Sequence, residues 1–263
     1  VDKPDLTVGV VMMNRLAESK PCWATLCGST QAKRAQLLVV DNGSVDGSKE
    51  WVERYVLPQF HSGRVIRNEK NAGVFRAMNQ LWAETQTPIL AALHNDLYVT
   101  EPGWDDRVRQ AFAEEPRLGV AGFCGARGLA ANGLRYDVWS NMLEAEIHGS
   151  RGWGRLWVSV LDGMALIMRR SMLDAVGGFD EGYVLHHRYD YDICLASLNA
   201  GFQNMLIGVA CHHQSGLTAS SPEYLKQAAE AAGVHEGMGD LTVHNANHDR
   251  YFAKWRHLFP RYV

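Results

Sequence analysis

The sequence predicts an α/β fold, a mostly parallel central sheet with helices on both faces. Three observations carry that prediction. Short, continuous apolar runs recur along the chain, as expected of strands buried on both sides. Stretches with apolar residues at helical spacing separate them. Several runs stop abruptly on polar side chains, as in open sheets whose ligands gather beyond the carboxyl ends of the strands.

Residues 6–13, LTVGVVMM, form the first strand, and residues 35–40, AQLLVV, form a second that ends at Asp41. DGSKEWVERYV (46–56) follows as a helix, with Asp46 or Ser48 placed to cap it. GRVIRN (63–68) is a short third strand. After Gly73, the residues Val74, Phe75, Met78, Leu81 and Trp82 recur at helical spacing. PILAAL (88–93) is the fourth strand and runs straight into His94-Asn95-Asp96. Helix WDDRVRQAFAEE (104–115) and strand LGVAGF (118–123) come next. Residues 125–155 break the rhythm. Six glycines and no sustained period predict a long loop there, of the kind a ligand orders as a lid. LWVSVLDGMALIMRR (156–170) is a strand pair or one bent strand, followed by a short helix and VGGFDEGY (176–183). Helix YDICLASLNAGF (191–202) leads to strand QNMLIGVAC (203–211), which ends on His212-His213. The tail NHDRYFAKWRHLF (247–259) is helical. With no repeat or linker, a single domain over 1–263 is the simplest organisation.

Composition narrows the function. Across 263 residues, 46% hydrophobic content supports a sizeable core. Twenty-six basic residues against 29 acidic ones leave a net charge of −3 without a block of one sign, which argues against a nucleic-acid or membrane-surface protein. The apolar runs are strand-length, far short of a membrane span, and no secretory signal opens the sequence, so a soluble, cytoplasmic protein is expected. Cys22, Cys27, Cys124, Cys194 and Cys211 form no C-x-x-C pair, so reduced thiols are expected.

Polar groups at strand and helix ends are the candidate site: Asp41, His94-Asn95-Asp96, Asp190 with Asp192, and His212 with His213. Singly, each has a plain structural explanation as a turn residue, a helix cap or a surface histidine. Their joint placement favours a ligand site.

Six segments carry a resemblance: VVDNGSVDGS, NEKNAGVFRAMNQ, LHNDLYV, VGGFDEGY, YDYDICLASLNAGF and YFAKW. In this order and rough spacing they resemble glycosyltransferase family 2, inverting enzymes with the GT-A (Rossmann-like) fold that use nucleotide-sugar donors. The resemblance implies a donor-binding half over 1–123 and an acceptor-binding, catalytic half over 124–263. It implies that Asp41 faces the nucleotide base, where a carboxylate suits the imide N–H of uracil or thymine and would also suit guanine; UDP-sugars are the favoured donors. Asn71, Gly73 and Asn79 would serve the donor at the start of a helix. His94 and Asn95 would contact ribose or diphosphate. Asp96 would hold Mn²⁺ or Mg²⁺ together with a histidine of CHHQSG, and His212 is favoured over His213. Asp190 would be the catalytic base that deprotonates the acceptor hydroxyl. Tyr189 replaces an acid of the family motif, and MMNR (12–15) replaces a threonine and tyrosine that more often precede Asn-Arg there.

The acceptor is left open among glycan, lipid-linked sugar, protein and modified nucleic acid. Trp139, Trp153 and Trp157, with Arg127, Arg135, Arg151 and Arg155, are candidates to touch it. A nucleotidyltransferase of related fold is the nearest alternative, disfavoured because no glycine-rich loop follows the first strand. A non-catalytic nucleotide-sugar or glycan-binding module is the second. A zinc hydrolase built on His186/His187 and His212/His213 lacks a helical H-x-x-x-H pair.

Overall fold

In the computed structural model, which describes residues 3–141, 150–214 and 220–263, the apolar runs become the middle of an eight-stranded sheet. β1 (Leu6–Met12), β2 (Ala35–Asp41), β3 (Ser62–Arg67) and β4 (Ile89–His94) are parallel, in the spatial order β4-β1-β2-β3. β1, β2 and β4 are buried almost throughout, while β3, at the edge, is largely exposed. β5 (Leu97–Val99) turns away from the sheet and β6 (Leu118–Gly122) rejoins it. Then come β7 (Cys124–Leu129), β8 (Arg135–Ser140), β9 (Ser150–Arg151), β10 (Arg155–Val158) and β11 (Val160–Leu161). β12 (Ala165–Arg169), β13 (Gln203–Ile207), β14 (Cys211–His213) and β15 (Arg261–Tyr262) complete the set. The main sheet runs β10-β13-β6-β12-β4-β1-β2-β3, parallel except where β12 and the edge strand β10 enter. A mostly parallel sheet was expected, and it is found.

The glycine-rich segment departs from expectation. Among its described residues it is largely strand, because β7, β8, β9 and β11 form a second sheet that β15 joins. Its glycines serve close approach rather than looseness. A Cβ on Gly125 would stand 2.8 Å from the Val160 carbonyl oxygen, and one on Gly128 would overlap the Tyr136 ring. Gly149 lies outside the described residues, as do Ser215 and Gly216 of the CHHQSG segment.

Helices cover both faces of the main sheet. They are α1 (Leu16–Ser29), α2 (Ser48–Tyr55), α3 (Val74–Glu84), α4 (Trp104–Glu114), α5 (Arg170–Val176), α6 (Tyr189–Asn199), α7 (Pro222–Ala232) and α8 (Gly239–Trp255). Successive strand residues point to opposite faces. Leu37 and Val39 therefore meet Trp23 of α1, Val52 of α2 and Trp104 of α4, while Leu38 and Val40 pack with Phe75 and Leu81 of α3 and Leu173 of α5. Fully burying each such side chain contributes about 1.5–3 kcal/mol. α1 was not foreseen, since Pro21 sits inside it and removes an intrahelical hydrogen bond. Trp23 and Leu26 hold it against the core. Neither Asp46 nor Ser48 is the cap of α2: Gly47 holds that position without a side-chain capping bond, and Asp46, one residue earlier, accepts the Ser48 N–H at 3.1 Å. All five cysteines are free thiols, and no described helix is long and apolar enough to cross a membrane.

Two features position the site. β1, β2 and β4 all end at the same edge of the sheet. β14 pairs antiparallel with β5, setting His213 opposite Leu97 and His212 opposite Tyr98.

Candidate functional site

Alternation along β14 decides which histidine faces Asp96. Neighbouring residues of a strand point to opposite sides, so only one of His212 and His213 can turn inward. It is His213, whose Nε2 lies 3.0 Å from Asp96 Oδ1 and 3.2 Å from His94 Nδ1. His212, favoured on sequence, turns to the other side, where its ring centroid is 5.3 Å from that of Tyr98. One ligand atom from each of His94, Asp96 and His213 falls within 4.8 Å of the others. Burial lowers the pKa of His94, and the nearby His213 lowers it further. Burial works against the Asp96 carboxylate, but the hydrogen bond from His213 and the neighbouring imidazoles outweigh it and hold its pKa low. An ionised carboxylate beside a neutral imidazole is the state in which a cation is bound.

His94, Asn95 and Asp96 line a cleft together with Asn42 and Asn71. Met12 and Met13 contribute its apolar wall, and Leu185, His186, His213 and Tyr224 close it from the C-terminal side. The cleft therefore draws on residues from both proposed halves of the chain. Asn42 Nδ2 donates to Asn71 Oδ1 at 2.8 Å, and Asn42 Oδ1 accepts the Ala72 N–H at 3.0 Å.

Three of the residues expected to serve the donor lie elsewhere. Asp41 is fully buried beneath the cleft. It accepts the Ser44 N–H at 2.8 Å and pairs with Arg67, its register partner on β3. Gly73 adopts φ +82, and a Cβ there would come 3.1 Å from the Leu185 carbonyl oxygen. That same oxygen accepts the Val74 N–H at 2.6 Å, so the start of α3 is tied to the loop around Leu185. Asn79 clamps the VGGFDEGY turn by donating to the Phe179 carbonyl at 2.9 Å and accepting the Phe179 N–H at 2.8 Å.

A second cavity adjoins the first and shares His94, His186 and Tyr189 with it. Asp190 and Asp162 both line it. Asp190 Oδ2 accepts the Gly163 N–H at 3.1 Å, and Oδ1 accepts the Tyr191 N–H at 2.9 Å. Burial, and then the charge of Asp162, push the Asp190 pKa up to about 6. Asp162 is half-buried, and Arg135, 3.0 Å away, holds its pKa low against the loss of solvent. Two carboxylates driven apart in this way have the separation that acid–base chemistry needs. Tyr189, which replaces a family acid, places its hydroxyl 2.6 Å from His94 Nε2 and so links the two cavities.

Asp192 looks away from both. It accepts hydrogen bonds from Tyr183 Oη and Trp255 Nε1, each at 2.7 Å, and from Lys254 at 3.0 Å. Sequence reasoning did not pair Arg135 with Asp162, did not bring His186 to the donor cleft, and gave Tyr224 no role. Asp162-Gly163, a polar stop after an apolar run, was the one available signal.

Residues 7–177 match the family model described as Glycosyl transferase family 2. Among curated proteins, the uncharacterized protein y4gI of Sinorhizobium fredii is 27% identical over 210 residues, covering 73% of this chain and 22% of that protein. Among solved structures, GalNAc-T7 with UDP, GalNAc and Mn²⁺ superposes with a TM-score of 0.65 at 14% identity, over 89% of this chain and 49% of that one. The mannosyltransferase PcManGT from Pyrobaculum calidifontis, in complex with GDP-Man and Mn²⁺, gives 0.58 at 15% identity, over 98% of this chain and 71% of that one. The chain thus spans less than a quarter of the curated relative and about half of GalNAc-T7. The fold shared with these structures is GT-A.

Proposed function

The chain belongs to glycosyl transferase family 2, and on that premise we propose that it transfers a sugar, with inversion, from a nucleotide diphosphate-sugar to an acceptor hydroxyl. The observation that carries this reading is the meeting of two cavities at His94 and Tyr189. One is lined by a cation-ready cluster and the other by a carboxylate whose pKa is raised to about 6.

The donor lies in the first cavity, between Asn42 and Asn71 on one side and Asp96 on the other. Two imidazole nitrogens and a carboxylate oxygen fit a divalent ion, and nitrogen donors favour Mn²⁺ over Mg²⁺. Such an ion would be held by Asp96, His213 and His94, and would supply positive charge to the departing diphosphate. Tyr224 and Leu185 cover the donor and keep water from it. The acceptor enters the second cavity, where Asp190 takes the hydroxyl proton as the oxygen attacks the anomeric carbon. Arg135 keeps Asp162 ionised, so that the proton goes to Asp190. Attack from the base side, with the diphosphate leaving on the other, inverts the anomeric centre.

UDP-sugars are our first choice of donor. GalNAc-T7, similar in fold, was crystallised with UDP. With Asp41 engaged by Arg67, base selection passes to the residues around Asn42 and Met13. The test is a panel of UDP- and GDP-sugars with Mn²⁺, following nucleotide release and the anomeric configuration of the product. Nucleoside diphosphate released with inverted product is expected. Release of nucleoside monophosphate, or retained configuration, would overturn the reading.

A further inference from the structure

Leu185, His187 and Arg188 adopt left-handed backbone angles, with φ of 51, 67 and 69°. Non-glycine residues rarely hold that conformation, and strain of this kind persists only where surrounding contacts enforce it. Asn247 of α8 enforces it here. Its side-chain amide donates to the carbonyls of Val184, at 2.8 Å, and of His186. The bend brings two sequence neighbours to the same side, so that the His186 and His187 ring centroids lie 3.6 Å apart.

Asp240, also on α8, completes the arrangement. Its Oδ1 is 2.9 Å from His187 Nε2 and 3.2 Å from the Tyr224 hydroxyl, which in turn bonds His186 Nδ1. One nitrogen from each histidine and one Asp240 oxygen lie within 4.8 Å of one another. Around a tetrahedral zinc ion, ligand atoms stand about 3.3 Å apart, as bond lengths near 2.0–2.1 Å require.

We propose that His186, His187 and Asp240 form a second metal site, separate from the Asp96 cluster, that takes Zn²⁺ or a like transition-metal ion. Two imidazoles and a carboxylate suit such an ion and are poor ligands for Mg²⁺ or Ca²⁺. The site ties α8 to the loop that carries Leu185 and His186 into the cleft. It does not depend on sugar transfer.

The experiment uses the full chain, stripped with chelator, in an Asp96→Asn/His213→Ala background that silences the first cluster. ZnCl₂ alone is titrated by calorimetry, and melting temperature is read with and without it. One Zn²⁺ per chain and a higher melting temperature are expected. Adding Asp240→Asn, which retains an acceptor for His187 and Tyr224, should weaken binding by about 10–100-fold or more and abolish the thermal shift. His187→Gln should do the same, and a metal-free melt of each variant confirms that it is folded. Failure of the background protein to bind Zn²⁺, or undiminished affinity in both folded variants, would overturn the proposal.

Discussion

Asp190 and Asp162 bring the same functional group to the same cavity, yet Asp162 is the one that Arg135 pairs directly, at 3.0 Å. Below about pH 6 Asp190 carries its proton and cannot accept another, so transfer should fall about tenfold per unit on the acid side. Asp190→Asn should cut transfer by roughly 10²–10⁴-fold and remove that acid limb, while leaving donor affinity unchanged. A pH–rate profile of both proteins checks this. Stability should move the other way. Because the folded protein raises the pKa of Asp190 above its unfolded value, ionisation costs stability as the pH climbs from about 4 through 6, and the cost stays constant above. The asparagine never ionises, so the variant should melt higher than wild type at pH 8, with the difference gone near pH 4. A lower melting temperature at pH 8 would identify Asp190 as a structural residue. His213→Ala should weaken Mn²⁺-dependent UDP binding at least about tenfold, whereas His212→Ala should leave it within about twofold. Calorimetry with UDP and Mn²⁺ separates the two.

At the scale of elements, Asp192 shows how closely structure and chemistry are interleaved on α6. Two residues from the proposed base, it anchors Tyr183, Trp255 and Lys254, and so fastens the end of α8. Asp192→Ala leaves the Tyr183 hydroxyl and the Trp255 indole N–H without their acceptor, while Lys254 keeps Asp180 at 3.1 Å, and it should cost about 1–3 kcal/mol for each buried donor in urea unfolding. The strands were legible because parallel strands buried on both faces leave continuous apolar runs. Asp96 stood out because polar side chains end an apolar run, and Asp190 because it opens a helix in a segment that resembles a family motif. What stayed hidden depends on pairing. Asp41 could be seen to bond Arg67 only once β2 and β3 were in register, and His213 could be chosen over His212 only once β14 was seen to be a strand. Glycines that signal looseness in isolation signal close packing once Tyr136 and Val160 are opposite them. Pro21 concealed α1 because helix periodicity is discounted at proline.

The molecule as a whole builds its cleft from segments far apart in sequence, with Asn42, Asp96, His186, His213 and Tyr224 on one surface. Occupancy should therefore stabilise the entire fold. UDP with Mn²⁺ at about 100 times its dissociation constant should add about 2.7 kcal/mol, and chelation of the metal should remove most of it. The same non-locality bears on β12, which lies between β4 and β6 although it follows both in the chain. A ribosome releases residues 6–123 first, so the growing chain must wait with one long side of β4 unpaired until residues 165–169 emerge. Bare strand edges recruit other chains. A polypeptide ending at residue 123 should consequently come out of a translation reaction as assemblies rather than monomers, and sedimentation of that product measures it. Synthesis itself thus passes through a sticky stage, and pausing between residues 123 and 165 would prolong it.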